Sequence, residues 1–262
     1  IKEQQIRKTI EEHLNKELVL NKQGIKVLSL FFIDRVANYR YYDEDGNPQK
    51  GIYAELFEKH YSDLIRKPKY NTLFKDIDLD TATEDVHNGY FSADKKGVLK
   101  DTSGSTLDDE DAYNLIMKDK ERLLSFDTKL RFIFSHSALR EGWDNPNVFQ
   151  ICTLNENSKS NDKKRQEIGR GLRLCVTQDG DRVYGFETNT LTVMANQSYE
   201  DFAKQLQTET EKDGGFKFGS VEYISFAGIS LVANENGKEN MTVQESEALY
   251  SYCKEKGYID YQ

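Results

Sequence analysis

Residues 129–174 read KLRFIFSHSALREGWDNPNVFQICTLNENSKSNDKKRQEIGRGLRL. Two apolar runs, Leu130–Ser135 and Val148–Leu154, are rich in strand formers, and each leads into a polar segment that carries glycine. After the second run comes Gln166-Glu167-Ile168-Gly169-Arg170-Gly171-Leu172-Arg173. If this segment opens a helix, Gln166, Arg170 and Arg173 fall at i, i+4 and i+7 and project from one face, while Gly169 lets a ligand or another backbone come close. Two guanidinium forks pointing the same way suit a polyphosphate. The charge run from Lys159 through Lys163, Lys164 and Arg165, with Glu156, Asp162 and Glu167 interspersed, reads as a solvated loop.

Upstream, Ile6, Ile10, Leu14 and Leu18 recur at helical spacing, and Gly24 marks the connection that follows. Ile25–Ile33, IKVLSLFFI, is a nearly continuous apolar run, short and rich in strand formers, and predicts a buried parallel strand. Asp34 and Arg35 stand at its carboxyl end and read as caps of the next helix. Val86–Ser92 predicts a second short strand, a helix is expected over Leu107–Leu124, and Val183, Tyr184 and Leu191–Met194 suggest further strands. Strands alternating with helices predict an α/β domain with a doubly wound parallel sheet.

The stretches of about 41–85 and 93–106 read as a polar insertion, with a turn at Asp45-Gly46-Asn47-Pro48 and one helix from Gly51 to Ile65. Asp76, Asp78 and Asp80 mimic a calcium loop, but Thr81 replaces the required glycine and His87 the closing glutamate, so an acidic solvated loop is expected. Asp109-Glu110-Asp111-Ala112 resembles an ATPase carboxylate box, yet no apolar strand precedes it. Negative charge in the first turn of the Leu107 helix accounts for it better. Residues 196–262 form a small α+β C-terminal extension. Its expected parts are a helix from Ser198 to Lys212, a break at Gly214-Gly215, extended structure over Val221–Val232, and a last helix opened by the capping-box pattern Thr242-Val243-Gln244-Glu245 and stopped at Gly257.

The 262 residues, 37% hydrophobic and 31% charged, suffice for one large domain, or one with an appendage, and for a sizeable core. The formal net charge of −9 argues against a surface that clings everywhere to nucleic acid, without excluding a local basic track. Cys152, Cys175 and Cys253 are too few and too scattered for a disulfide framework or a CxxC zinc site, and a reducing cytoplasm fits them. The chain opens at Ile1 on a charged amphipathic helix, which predicts a piece of a protein without a signal peptide. No apolar run approaches the roughly 20 residues that span a bilayer, so no membrane partner is expected.

The order apolar strand, REGWDNPNV loop, apolar strand, QEIGRGLR resembles motifs V and VI of superfamily 2 helicases and translocases. IKVLSLFFI is similar to their motif IV strand, VHNGYFS sits where such lobes carry an HG-containing strand, and Leu123–Phe126 fits the helix before motif V. LREGWDNPNVFQICTL followed by QEIGRGLRL resembles most the restriction (Res) subunit of type III restriction endonucleases, over roughly residues 1–195. The resemblance implies a second RecA-like lobe of an ATP-driven DNA translocase in the bacterial cytoplasm. Arg170 and Arg173 are then catalytic arginine fingers on the γ-phosphate; Gln166, Gly142, Asp144 and Gly169 help to hold the nucleotide; Ser137 and Arg140 touch the DNA backbone. Trp143 is expected to pack in the core. The implied cofactors are ATP and Mg²⁺. The implied partners are double-stranded DNA, a DNA methyltransferase (modification) subunit, and the first RecA-like lobe and nuclease domain of the same full-length chain.

The sequence departs from that pattern where phosphate and metal are usually held. No GxxxxGK[ST] occurs, and Asn236-Gly237-Lys238-Glu239 lacks both the first glycine and the hydroxyl residue. No DExx box follows a strand, and none of the prolines at 48, 68 and 146 precedes Asp, so a nuclease site of the usual spelling is missing. Mg²⁺ ligands are therefore not expected in this chain, and the chain alone is expected to hydrolyse nothing. Two other readings stay open: a lobe of another superfamily 2 motor, such as one of DNA repair whose motif V also reads REG-D-P, and a non-catalytic interaction module that kept the fold.

Overall fold

The computed structural model describes residues 1–73, 82–93, 99–100, 115–116, 119–136, 145–155, 168–185 and 187–195, and in the tail 201, 203–204, 206–209, 212, 221–227, 229 and 240–259. The chain divides into two units, Ile1–Tyr199 and Glu200–Gln262. In the first, the described elements are α1 (Lys2–Leu20), β1 (Leu28–Phe32), β2 (Arg40–Tyr42), β3 (Pro48–Lys50), α2 (Ile52–Ile65), α3 (Ala82–Asp85), β4 (His87–Tyr90), β5 (Ser92–Ala93), β6 (Leu99–Lys100), α4 (Lys120–Leu124), β7 (Phe132–Ser135), β8 (Val148–Thr153) and β9 (Thr192–Met194). Five strands pair in the order β4-β7-β1-β8-β9. Every pairing among them is parallel. β2–β3 and β5–β6 are separate antiparallel ribbons.

IKVLSLFFI supplies β1 at the centre of this sheet, and all five of its strand residues are buried. Side chains of a strand alternate between faces. Phe31 accordingly joins Phe132, Phe134 and Cys152 against Ile6, Ile10 and Leu14 of α1 and Phe57 and Tyr61 of α2. Phe31 and Phe134 stack with ring centroids 4.5 Å apart. Leu28, Leu30 and Phe32 face the other way, with Ile133 and Ile151, onto Ile116 and Leu123. Both faces of the sheet are covered, as a doubly wound α/β arrangement of the RecA-like kind requires. The step from β1 to β4 carries α2 on one face, and the return step from β4 to β7 carries Ile116 and Leu123 on the other, which gives the two crossovers the same hand.

Several local expectations change. Helix α2 lies in the stretch read as a polar insertion, yet it buries Tyr53, Ala54, Phe57, His60, Tyr61, Leu64 and Ile65 and belongs to the core. The polar turns on either side of it hid that apolar stripe. The helix expected over Leu107–Leu124 is not continuous. Asp119 leaves helical geometry at φ −104°, ψ 62°, and its carboxylate caps α4 by accepting from Arg122 N. Val183 and Tyr184 form no strand; Asn189 donates to the Val183 and Gly185 carbonyls that a sheet neighbour would need. Asp34 is a tie between helices more than a cap: it accepts from Lys2 of α1 (2.8 Å), Asn38 (2.7 Å) and the Tyr53 hydroxyl of α2 (3.1 Å). Asp76, Asp78, Asp80, Asp109–Asp111, Trp143, Ser198, Gly214-Gly215 and residues 236–239 lie outside the described residues.

Lys26 sits within the apolar run, 1% exposed. Its ammonium donates to the carbonyls of Leu123 (2.8 Å), Ser125 (2.9 Å) and Thr128 (2.6 Å), groups at and beyond the carboxyl end of α4 that have no helical partner. Burial and the nearby Arg131 pull its pKa down to about 7. Lys26→Met keeps the stem and strands the three carbonyls, so urea unfolding should show a loss of about 2–4 kcal/mol.

In the second unit, residues 201, 203–204, 206–209 and 212 are helical, and α5 (Val243–Glu255) opens with the expected capping box between Thr242 and Glu245. Gly257 ends it at φ 71°, with Tyr258 N donating to Cys253 O at 2.9 Å. Val221–Val232 is not extended where it is described. Consecutive turns close through Ser225 N to Glu222 O and Ala227 N to Ile224 O. Ser246, the buried residue of α5, fixes them by accepting from Phe226 N and donating to Tyr223 O.

Candidate functional site

The parallel strands deliver their carboxyl ends to one edge, where open α/β sheets bind ligands. β7 ends in Ser135, followed by His136, and β8 ends in Thr153, followed by Leu154 and Asn155. The segments that follow these two strands in sequence carry Ser137, Arg140, Gly142, Asp144 and Gln166, all outside the described residues. Gly169, Arg170 and Arg173 are described.

The helical face expected for Gln166, Arg170 and Arg173 does not extend to Arg173. Ile168 and Gly169 are the last helical positions, and Gly171 N closes a turn onto Ile168 O at 2.9 Å. Two glycines flank Arg170 here, and their low helix propensity favours a stop. The two arginines then differ in environment. Arg170 is 7% exposed. Arg173 is exposed, and its Nη1 donates to Gly169 O (3.1 Å) and Leu172 O (3.0 Å), so the guanidinium caps the carbonyls of the turn it follows. The glycine with a close packing role is also a different one. A Cβ at Gly169 would meet no described atom within 4 Å, whereas one at Gly171 would lie 2.5 Å from Leu191 Cδ1.

Sequence reasoning missed the amides that hold this segment. Asn145 and Asn147, in the DNPNV run, are fully buried. Asn147 Oδ1 accepts from Val176 N at 2.8 Å and its Nδ2 donates to Val176 O at 2.9 Å, in the manner of a backbone bridge. Asn145 Oδ1 accepts from Asn147 N, and the Asn147 carbonyl accepts from Leu28 N at the start of β1. Further along, Asn189 Oδ1 accepts from Cys175 N, and Gln178 bonds Leu124 O and Phe126 N while its own N–H reaches Gly24 O. The sequence signal was faint: Asn beside Pro reads as a turn, and nothing local tells a turn amide from a buried clamp.

What the described residues of this segment offer is positive charge, on Arg170 and Arg173. Burial raises the pKa of the Cys175 thiol, and it pushes that of Cys152 up to about 12, so neither is a thiolate at neutral pH. Among the described residues no group of three or more His, Cys, Asp or Glu could hold a metal ion. Also among them, no helix is long and apolar enough to cross a membrane.

No family model matches the chain. It is 44% identical over 180 residues to the Res subunit of the type III restriction-modification enzyme EcoP15I of Escherichia coli, a match covering 66% of this chain and 17% of that one. The EcoPI Res subunit of Escherichia phage P1 is 43% identical over 182 residues, covering 66% and 17%. The StyLTI Res subunit of Salmonella typhimurium strain LT2 is 35% identical over 237 residues, covering 83% and 23%. The chain thus spans about a fifth of the length of the curated relatives it matches. The homologues of this chain are Res subunits of type III restriction-modification enzymes, the family that REGWDNPNV and QEIGRGLRL resemble.

Proposed function

We propose that this chain is the second RecA-like lobe of an ATP-driven DNA translocase within a type III restriction enzyme, with residues 1–195 as the lobe and 196–262 as an extension of the motor. The observation that carries the reading is the pairing of an all-parallel five-stranded sheet with homology to Res subunits over 66–83% of the chain. ATP enters as substrate, presented by a first lobe, and the glycine-flanked arginine segment supplies donors to its terminal phosphate. Arg173 acts as the finger. Its exposed guanidinium exchanges two neutral carbonyls, on Gly169 and Leu172, for charged phosphate oxygens. Charge-assisted bonds are roughly twice as strong as neutral ones, so the exchange is favourable. Arg170 contributes positive charge from inside the turn. Gln166, Gly142, Asp144 and Gly169 complete the nucleotide contacts, and Ser137 and Arg140 follow the DNA backbone. The two guanidinium groups suit an anion and not a divalent cation, and no DExx box occurs in this sequence, so Mg²⁺ is assigned to carboxylates of the first lobe. DNA and a modification subunit are the partners of the assembled enzyme.

The purified chain should release no phosphate from ATP, with or without double-stranded DNA. DNA-stimulated turnover by the chain alone, lost on Arg173→Ala, would overturn the proposal.

A further inference from the structure

A motor must connect the loop that meets DNA with the arginine that meets ATP, and coupling of that kind needs a contiguous physical link. The proposed loop contacts end at Asp144, three residues before Asn147; the finger is Arg173, three residues before Val176. Asn147 and Val176 are joined by the two-point bond described above, at 2.8 and 2.9 Å. Asn147 is itself fixed on two other sides, by Asn145 Oδ1 at its N–H and by Leu28 N at its carbonyl. It is fully buried, so water does not compete for these bonds. A carboxamide alone among side chains of this size both donates and accepts in one plane. An ionised Asp cannot donate to Val176 O, and Leu can do neither. Two bonds in one plane transmit a rotation as well as a shift.

We infer that Asn147 is a positioning residue that holds the Arg173 segment in register with the loop of Arg140 and Asp144, so that DNA engaged by the loop changes the placement of the finger. This inference rests on the function proposed above. Asn189 provides the internal comparison. It secures Cys175 N in the same stretch, but its partners Val183 and Gly185 lie on the far side of the loop at 176–182, and none is in the DNPNV run.

The experiment uses the full-length protein with its modification subunit, and phosphate release is followed with and without double-stranded DNA. Asn147→Asp and Asn147→Leu should lower the ratio of DNA-stimulated to DNA-free turnover roughly tenfold. The KM for ATP should stay within about twofold, because the finger acts in the transition state. Asn189→Ala should lower the thermal midpoint and leave that ratio unchanged. In the unaltered protein, DNA should slow hydrogen exchange at residues 174–177, and this measurement stands even where an Asn147 variant fails to fold. The inference is overturned if the ratio survives both Asn147 substitutions, if Asn189→Ala lowers it equally, or if DNA leaves exchange at 174–177 unchanged. Failure of the underlying function reads differently: Arg173→Ala would then leave ATP turnover intact.

Discussion

Replacing Arg173 by alanine in the full-length protein lowers DNA-dependent ATP hydrolysis by about 10³-fold, at the lower end of what arginine fingers supply. KM for ATP changes little, because the guanidinium meets charge that develops only as the phosphoryl group transfers. Steady-state phosphate release at saturating DNA is the measurement. Arg173→Lys keeps the charge and loses the fork, so it should recover only part of the rate. The position of Arg173 lets this loss be separated from misfolding. The side chain is exposed, and its bonds to Gly169 O and Leu172 O end on carbonyls close to solvent, so its removal should barely move the thermal midpoint. Arg170 is 7% exposed, and Arg170→Ala should lower activity and stability together. If the full-length protein keeps its full rate as Arg173→Ala, this lobe is an interaction module with the fold and supplies no finger to the ATP site.

Much of the fold was legible because the hydrophobic effect writes itself in periods. IKVLSLFFI is apolar on both faces, and only a strand buried on both sides needs that; Ile6, Ile10 and Leu14 mark one helical stripe. The capping box at Thr242 was readable for a similar reason, since its two bonds are local in sequence. Long-range polar contacts carry no such signature. Lys26 is a charged residue within an apolar run, and only the fold brings Leu123, Ser125 and Thr128 around it. Glu17, a charged residue on a charged helix, reads as exposed until Arg131, 114 positions away, is placed beside it. At the arginine segment the residue types were legible and the geometry was not. Helical spacing was extended through Gly169 and Gly171, where the chain turns away. Asn147, beside a proline, could be seen only as a turn residue until Val176 was found against it.

The second large effect lies beneath the sheet. Glu17, 2% exposed on α1, receives Arg131 Nη1 at 3.0 Å, and Arg131 Nη2 donates to the Tyr61 hydroxyl at 2.6 Å. His13 stands between Glu17 Oε1 (3.2 Å) and Ser29 Oγ (2.8 Å), and Ser29 donates to Gln150 Oε1. One polar chain therefore ties α1 and α2 to β1, β8 and the residue that leads into β7. Burial alone would raise the pKa of the Glu17 carboxyl, but Arg131 and His13 outweigh it and hold it down at about 2. Glu17→Gln leaves a largely buried guanidinium without its countercharge, and the expected loss at pH 7 is about 3–5 kcal/mol. The pH dependence identifies the cause. A carboxyl whose folded pKa lies below its unfolded value of 4.5 stabilises the fold fully above that value, and the contribution drains away as pH falls towards 2. A shift of that size corresponds to about 3 kcal/mol. Burial lowers the pKa of His13 from 6.5, so the unfolded chain takes up its proton first and stability already begins to fall below pH 6.5. Lys26, with a folded pKa of about 7 against 10.5 unfolded, changes stability only above that window. Urea unfolding between pH 7 and 3 should then show the gap between the unaltered chain and Glu17→Gln narrowing steadily below pH 4.5. A gap that stays constant to pH 3 would mean that shape, and not the buried ion pair, is what Glu17 contributes.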